Sequence, residues 1–185
     1  MKPFREIAPV RTYSGTHANY RDYKPHLAKD FKHKCGYTDC SDLWFGGKNN
    51  FHIDHFLPWK KYPHLKTDYS NLVYCCSYVN ILKSNDEGTY LDPCNEDYNK
   101  HFQRDDDGNI IPLTEQAQYM YDKMKLYLNR FHIIWALDQL MYRISKLKGF
   151  KDILMESNDN ESKNLCLEVL FALENHIEYL RKINE

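Results

Sequence analysis

The sequence predicts an α+β fold, and three patterns predict it. Phe51, Ile53 and His55 alternate with His52 and Asp54, the period of two that marks a half-buried strand. Leu72-Val73-Tyr74 supplies a short apolar return strand, and Cys76 to Asn85 reads as a helix closed by Ser84-Asn85-Asp86 and Gly88. Further on, Met120, Met124, Tyr127, Leu128, Phe131, Ile134, Leu137, Met141 and Ile144 recur at intervals of three and four, so two or three amphipathic helices follow the small strand-and-helix unit.

In chain order, residues 1–20 carry no period and form a lead-in that packs through Phe4, Ile7 and Tyr13, with a turn at Ser14-Gly15-Thr16. Pro25 opens a helix with Tyr23, Leu27 and Phe31 at helical spacing and Lys24, Lys29, Lys32 and Lys34 around it. Cys35 to Cys40 is a knuckle or tight turn. Gly46-Gly47 and Asn49-Asn50 mark a loop before the first strand, and Pro58 stops that strand from running on. Residues 59–68 are a loop rich in Lys, His and Tyr. Tyr90 to Pro112 reads mostly as loop; its run Asp105-Asp106-Asp107 lacks the spacing and terminal Glu of a calcium loop and is a solvated turn. Thr114 caps the next helix, the long apolar span breaks near Leu128 to Arg130, and Lys148-Gly149 ends it. Ser157 to Ser162 is polar, and Leu165, Val169, Ala172, Leu173, His176, Ile177 and Leu180 make a last amphipathic helix.

The chain has 185 residues, 42% of them apolar, with 15 tyrosines, nine phenylalanines and three tryptophans, so it buries a real core and is not disordered throughout. It contains no apolar run long enough to span a membrane, and Met1-Lys2-Pro3 does not lead into a signal-peptide core, so a cytoplasmic chain is expected. The formal net charge of −1 argues against a broad nucleic-acid surface, but the charge is uneven. Twelve Lys and Arg face six Asp and Glu through Lys66, whereas two face seven from Leu91 to Glu115. A basic first third suits one local phosphate-holding surface. The six cysteines do not follow a secreted disulfide pattern, and adjacent Cys75 and Cys76 are poor partners for each other.

Candidate chemistry lies between Phe51 and Lys83. Asp54 and His55 end the first strand, Asn71 precedes the second, and Asn80 and Lys83 fall on the helix. A carboxylate, an imidazole and a carboxamide on one apolar frame are the groups that hold a hard cation beside a general base.

The ordered set Asp54-His55, Asn71-Leu72, Asn80 and Lys83 resembles the core of the HNH nucleases, a small ββα-metal (His-Me finger) fold. The wider chain is similar to the HNH subunit of Septu-type and retron-associated bacterial anti-phage systems, from Tyr23-Lys24-Pro25 through Leu91-Asp92-Pro93 and Gly108 to Leu126–Arg130. The resemblance implies a nuclease region over 1–113, with its core at 35–88. Residues 114–185 would then be a helical region packed on that core or on a partner. It implies His55 as the catalytic base and Asn71 as the catalytic-motif residue that pins the loop orienting it. Asp54 and Asn80 become ligands of Mg²⁺ or Mn²⁺, and cleavage leaves 5′-phosphate and 3′-hydroxyl ends. Lys83, His52 and His64 are the candidates for contact with substrate phosphate; Lys83 equally suits simple stabilisation of the helix, and His52 is a spare ligand or a plain strand histidine.

Many HNH proteins also hold a structural Zn²⁺ on two Cys-x-x-Cys pairs. Here Cys35 and Cys76 match, while Thr38 and Val79 stand where the other two cysteines are expected. Cys40 with Cys75, or His33, would have to complete the set at unusual spacing, so a knuckle packed by its own apolar contacts is expected instead. The resembled systems pair this subunit with a P-loop ATPase, and this chain has no such loop. The expected function is therefore a metal-dependent endonuclease acting on DNA as a phage-defence effector. The alternatives are an inactive nuclease frame used for interaction and a toxin directed at tRNA or other RNA.

Overall fold

The structure, a computed structural model, describes residues 1–156 and 160–183. Its elements are β1 (Lys2–Pro3), α1 (Lys24–Asp30), β2 (Phe51–His55), β3 (Leu72–Cys76), α2 (Ser77–Lys83), β4 (Phe102–Arg104), β5 (Ile110–Pro112), α3 (Glu115–Lys123), α4 (Asn129–Met155) and α5 (Asn160–Ile183). The fold is α+β, with small antiparallel sheets. Two compact units divide the chain, Met1–His132 and Ile133–Glu185.

In the first unit β2 and β3 form an antiparallel hairpin running from Phe51 opposite Cys76 to His55 opposite Leu72. All five β3 residues are buried, and α2 begins at the very next residue. The strand therefore delivers the helix directly, with no linker to loosen their relation. Pro25 lies in the first turn of α1, and Leu27 and Phe31 are buried with Tyr23 where α1 packs on β3. In the lead-in, Phe4 is buried, Tyr13 stacks on His26 at 3.8 Å, and Ile7, expected to pack, is exposed.

A second sheet, in the order β1-β4-β5, runs through the stretch that reads as loop. β4 and β5 have three residues each, too few to show a period. The aspartate run is the turn between them, where Asp105 Oδ1 accepts from the backbone N–H of Asp107 and Asn109, and Gly108 takes φ 91°. Arg104 is fully buried and donates to the carbonyls of Phe4 (3.3 Å), Gly108 (2.7 Å) and Thr38 (2.7 Å). One guanidinium thereby ties the N-terminal segment, the β4–β5 turn and the Cys35–Cys40 knuckle together.

α3 belongs with the first unit, since Ala117, Met120 and Met124 are fully buried and Leu91 N–H donates to Met120 Sδ. The compact units thus divide at 132 and 133, later than the 113/114 boundary expected from the sequence. The helix break falls between α3 and α4, where Lys125 takes φ 52°. In the second unit Ile134, Leu137, Leu140 and Cys166 are buried, whereas Met141 and Leu165, which share the apolar spacing, are exposed. α4 continues through Gly149 to Met155, because that glycine keeps helical backbone and a helix tolerates it at about 1 kcal/mol. Of the polar stretch from Ser157 to Ser162, residues 157–159 lie outside the described residues, as do the side chains of His176, Ile177 and Leu180.

Arg104→Met should lower the unfolding free energy by about 3 kcal/mol or more, since three carbonyls lose a buried donor. Urea unfolding followed by tryptophan fluorescence measures this; an unchanged midpoint would show that the three contacts do not hold the unit.

Candidate functional site

The centre of the site is a buried ion pair between β2 and α2. Lys83, fully buried in the last turn of α2, places Nζ 3.0 Å from Asp54 Oδ2. Nζ also donates to the carbonyls of His55 and Phe56, each at 3.0 Å. The Tyr37 hydroxyl, brought by the knuckle, donates to Asp54 Oδ2 at 2.6 Å. Burial and the neighbouring Asp54 charge push the Tyr37 pKa well above its ordinary value, so the phenol stays a donor. Burial also raises the Asp54 pKa, against the pull of the Lys83 charge and the hydrogen bonds from Tyr37 and Lys83.

His55 sits at the end of β2 with a fixed tautomer. Its Nε2–H donates to the Lys66 carbonyl at 2.9 Å, which leaves the Nδ1 lone pair as the basic atom. Burial holds its pKa below the ordinary 6.5, with the Lys66 hydrogen bond and the Asp54 charge opposing. The imidazole is therefore a neutral acceptor at neutral pH.

The loop that carries Lys66 is anchored by Asn71. The buried Asn71 carboxamide accepts from Leu57 N–H (2.8 Å) and donates to Leu57 O (2.9 Å), while Phe56 N–H donates to Asn71 O (2.8 Å). Asn71 thus closes the base of the loop that orients His55. Two rings flank the imidazole: Tyr20 edge-on at 4.7 Å and Trp59 at 6.4 Å between centroids.

Asp54, His55 and Asn80 line one cleft of about 380 Å³, together with Tyr20, Trp59 and Ser84. Asn80 Nδ2 donates to His52 Nδ1 at 3.2 Å, which engages the amide nitrogen and keeps the carboxamide oxygen as an acceptor. A carboxylate has about four acceptor positions, and Asp54 Oδ1 takes only the longer 3.3 Å bond from Lys83. A carboxylate oxygen and a carboxamide oxygen are donor types that suit a hard cation, and both residues line this cleft, although Asp54 keeps only 4% of its surface exposed. His52 is exposed beside Asn80, and Lys24 lies close enough to help burial lower the His52 pKa.

Two phosphate candidates are placed elsewhere. Lys83 has no exposed surface and its ammonium is held by a carboxylate and two carbonyls, so it is a structural cation. His64 is exposed against Tyr62 and does not line the cleft. The exposed cations nearest the site are Lys66, over the Trp59 ring at 4.6 Å, and Arg21, over Tyr20 at 5.5 Å.

The cysteines do not gather into four. Cys35 and Cys76 lie 4.0 Å apart, sulfur to sulfur, and both are buried. Cys75 and Cys76 are neighbours on a strand and project from opposite faces. Cys40 Sγ faces the carbonyls of Thr38 and Phe131, at 3.6 and 3.7 Å. This arrangement does not fit a tetrahedral zinc built from Cys35, Cys40, Cys75 and Cys76. The resembled positions 35, 38, 76 and 79 are all buried, so Cys35, Thr38, Cys76 and Val79 fill the knuckle with side-chain packing. Among the described residues no three His, Cys, Asp or Glu side chains are grouped to hold an ion; that count omits Asn80.

Sequence reasoning missed Tyr37 and Tyr20 as site residues, and reached Trp59 only as the first residue of a loop, 59–68, that could lie along a substrate. Comparison of the chain with protein-family models and with curated proteins found no match.

Lys83→Met should destabilise the protein by about 3–5 kcal/mol, because Asp54 is left as an unpaired buried charge. Adding Asp54→Leu should recover most of the loss in thermal or urea unfolding. Equal stability of Lys83→Met and the native chain would contradict the buried pair.

Proposed function

We propose that this chain is a metal-dependent endonuclease that hydrolyses phosphodiester bonds of DNA, on a ββα-metal core formed by β2, β3 and α2. The observation that carries the reading is the tautomer of His55: Nε2–H is fixed on the Lys66 carbonyl, so Nδ1 is a base poised in the cleft that Asp54 and Asn80 line. Nδ1 takes a proton from water as the water oxygen bonds to phosphorus and the P–O3′ bond breaks; the departing O3′ takes a proton from solvent, leaving 5′-phosphate and 3′-hydroxyl ends. Asp54 and Asn80 are the residues that would hold one Mg²⁺ or Mn²⁺ ion. When bound, that ion stabilises charge on the phosphate and on the departing oxygen. Lys83 offsets the Asp54 charge, which would weaken its pull on a cation. Asn71 positions His55 through the loop.

The resemblance to anti-phage HNH subunits supports a role as a defence effector working with a P-loop ATPase. Exposed apolar side chains on the C-terminal helices, Phe150, Ile153 and Phe171, suit docking to such a partner. Among the described residues no helix is long and apolar enough to cross a membrane. The rival reading is an inactive frame used for interaction, and the occupied Asp54–Lys83 pair favours it.

Cleavage of plasmid and of single-stranded DNA with Mg²⁺ or Mn²⁺ separates the two. The native chain should cut at least one of them, and His55→Ala should be slower by about a hundredfold or more. Equal cutting by both proteins, or no cutting of either DNA with the ATPase supplied, would sink the nuclease reading. Protonation at Nδ1 removes the base, and burial lowers its pKa, so the acidic limb of kcat/KM should fall below pH 6.5. A limb centred above that pH would show that another group controls the rate.

A further inference from the structure

Resting on the nuclease reading, we propose that the cleft takes a single-stranded segment, with unpaired nucleobases stacked on Trp59 and Tyr20 beside the scissile phosphate. Trp59 and Tyr20 both line the cleft, and both flank the imidazole of His55. Trp59 keeps 36% of its surface exposed although it lies next to the site, so its ring is not there to fill the core. Each ring carries a cation: Lys66 lies 4.6 Å from the Trp59 centroid and Arg21 5.5 Å from that of Tyr20. An aromatic ring with a cation over one face can offer a base its other face and offer the phosphate joined to that base a charge.

A duplex gains little from such rings. Its bases are paired and stacked inward, and it presents phosphates to a protein without a free base face. The cleft, of about 380 Å³, has room for a splayed nucleotide. The aromatic rings then supply affinity that is tolerant of sequence, because every base has a face to stack.

Fluorescence anisotropy in Ca²⁺ with a labelled oligonucleotide, single-stranded or annealed to its complement, tests the proposal on the full chain. The single strand should bind at least tenfold more tightly than the duplex. Trp59→Ala should weaken single-strand binding about tenfold or more and leave duplex binding unchanged, and Trp59→Phe should restore most of the loss. Unchanged thermal melting of Trp59→Ala excludes loss of fold as the cause. Cleavage by the native chain, run in parallel on both forms with Mg²⁺ or Mn²⁺, separates this proposal from the one beneath it. Duplex cleavage with tighter duplex binding, or single-strand affinity indifferent to Trp59→Ala, overturns the stacking proposal and leaves the nuclease reading standing. No binding and no cleavage of either form overturns both.

Discussion

The site depends on one buried ammonium group. α2 has seven residues and would not persist alone, so its place against the hairpin must come from tertiary contacts. Lys83 provides the polar part of that contact at the helix's last turn, where a cation also suits the helix dipole. Burying two charges gains little net stability, but it is selective. Slipping the β2–β3 register by one residue would carry Asp54 to the opposite face and leave Lys83 unpaired. The pair thus fixes which residues face α2, and it fixes His55 at the strand end because the same ammonium holds the His55 and Phe56 carbonyls.

From that fixed point the geometry of the base follows through the backbone. The carbonyl of His55 is held by Lys83 on one side of the chain, and its ring nitrogen is held by the Lys66 carbonyl on the other. Lys66 belongs to a loop closed at its base by Asn71. Two side chains that need not meet a substrate, Lys83 and Asn71, therefore determine the tautomer and aim of one that would.

Much of this frame was legible because it rests on local pattern. The alternation at Phe51–His55, the polar end of α2 and Pro25 at the start of α1 each depend on neighbours a few residues away. The β1-β4-β5 sheet was not legible, since its strands are too short for a period and depend on Arg104, whose partners at 4, 38 and 108 are distant in sequence. Lys83 read as a phosphate contact or a helix-stabilising cation for the same reason: nothing near it in sequence announces that Asp54 and two carbonyls will enclose it. The knuckle shows the opposite case. Thr38 and Val79 break the expected metal pattern in the sequence, and the structure shows those positions buried in side-chain packing.

All of this geometry converges on His55 as a neutral base with its proton on Nε2 and its lone pair on Nδ1. Long-range ¹H–¹⁵N correlation NMR reads this directly, with the His55 signals among the nine histidines identified by their loss in His55→Gln. Nε2 should be protonated and Nδ1 unprotonated at pH 7, with titration below 6.5. A proton on Nδ1, or an imidazolium at pH 7, would contradict that assignment.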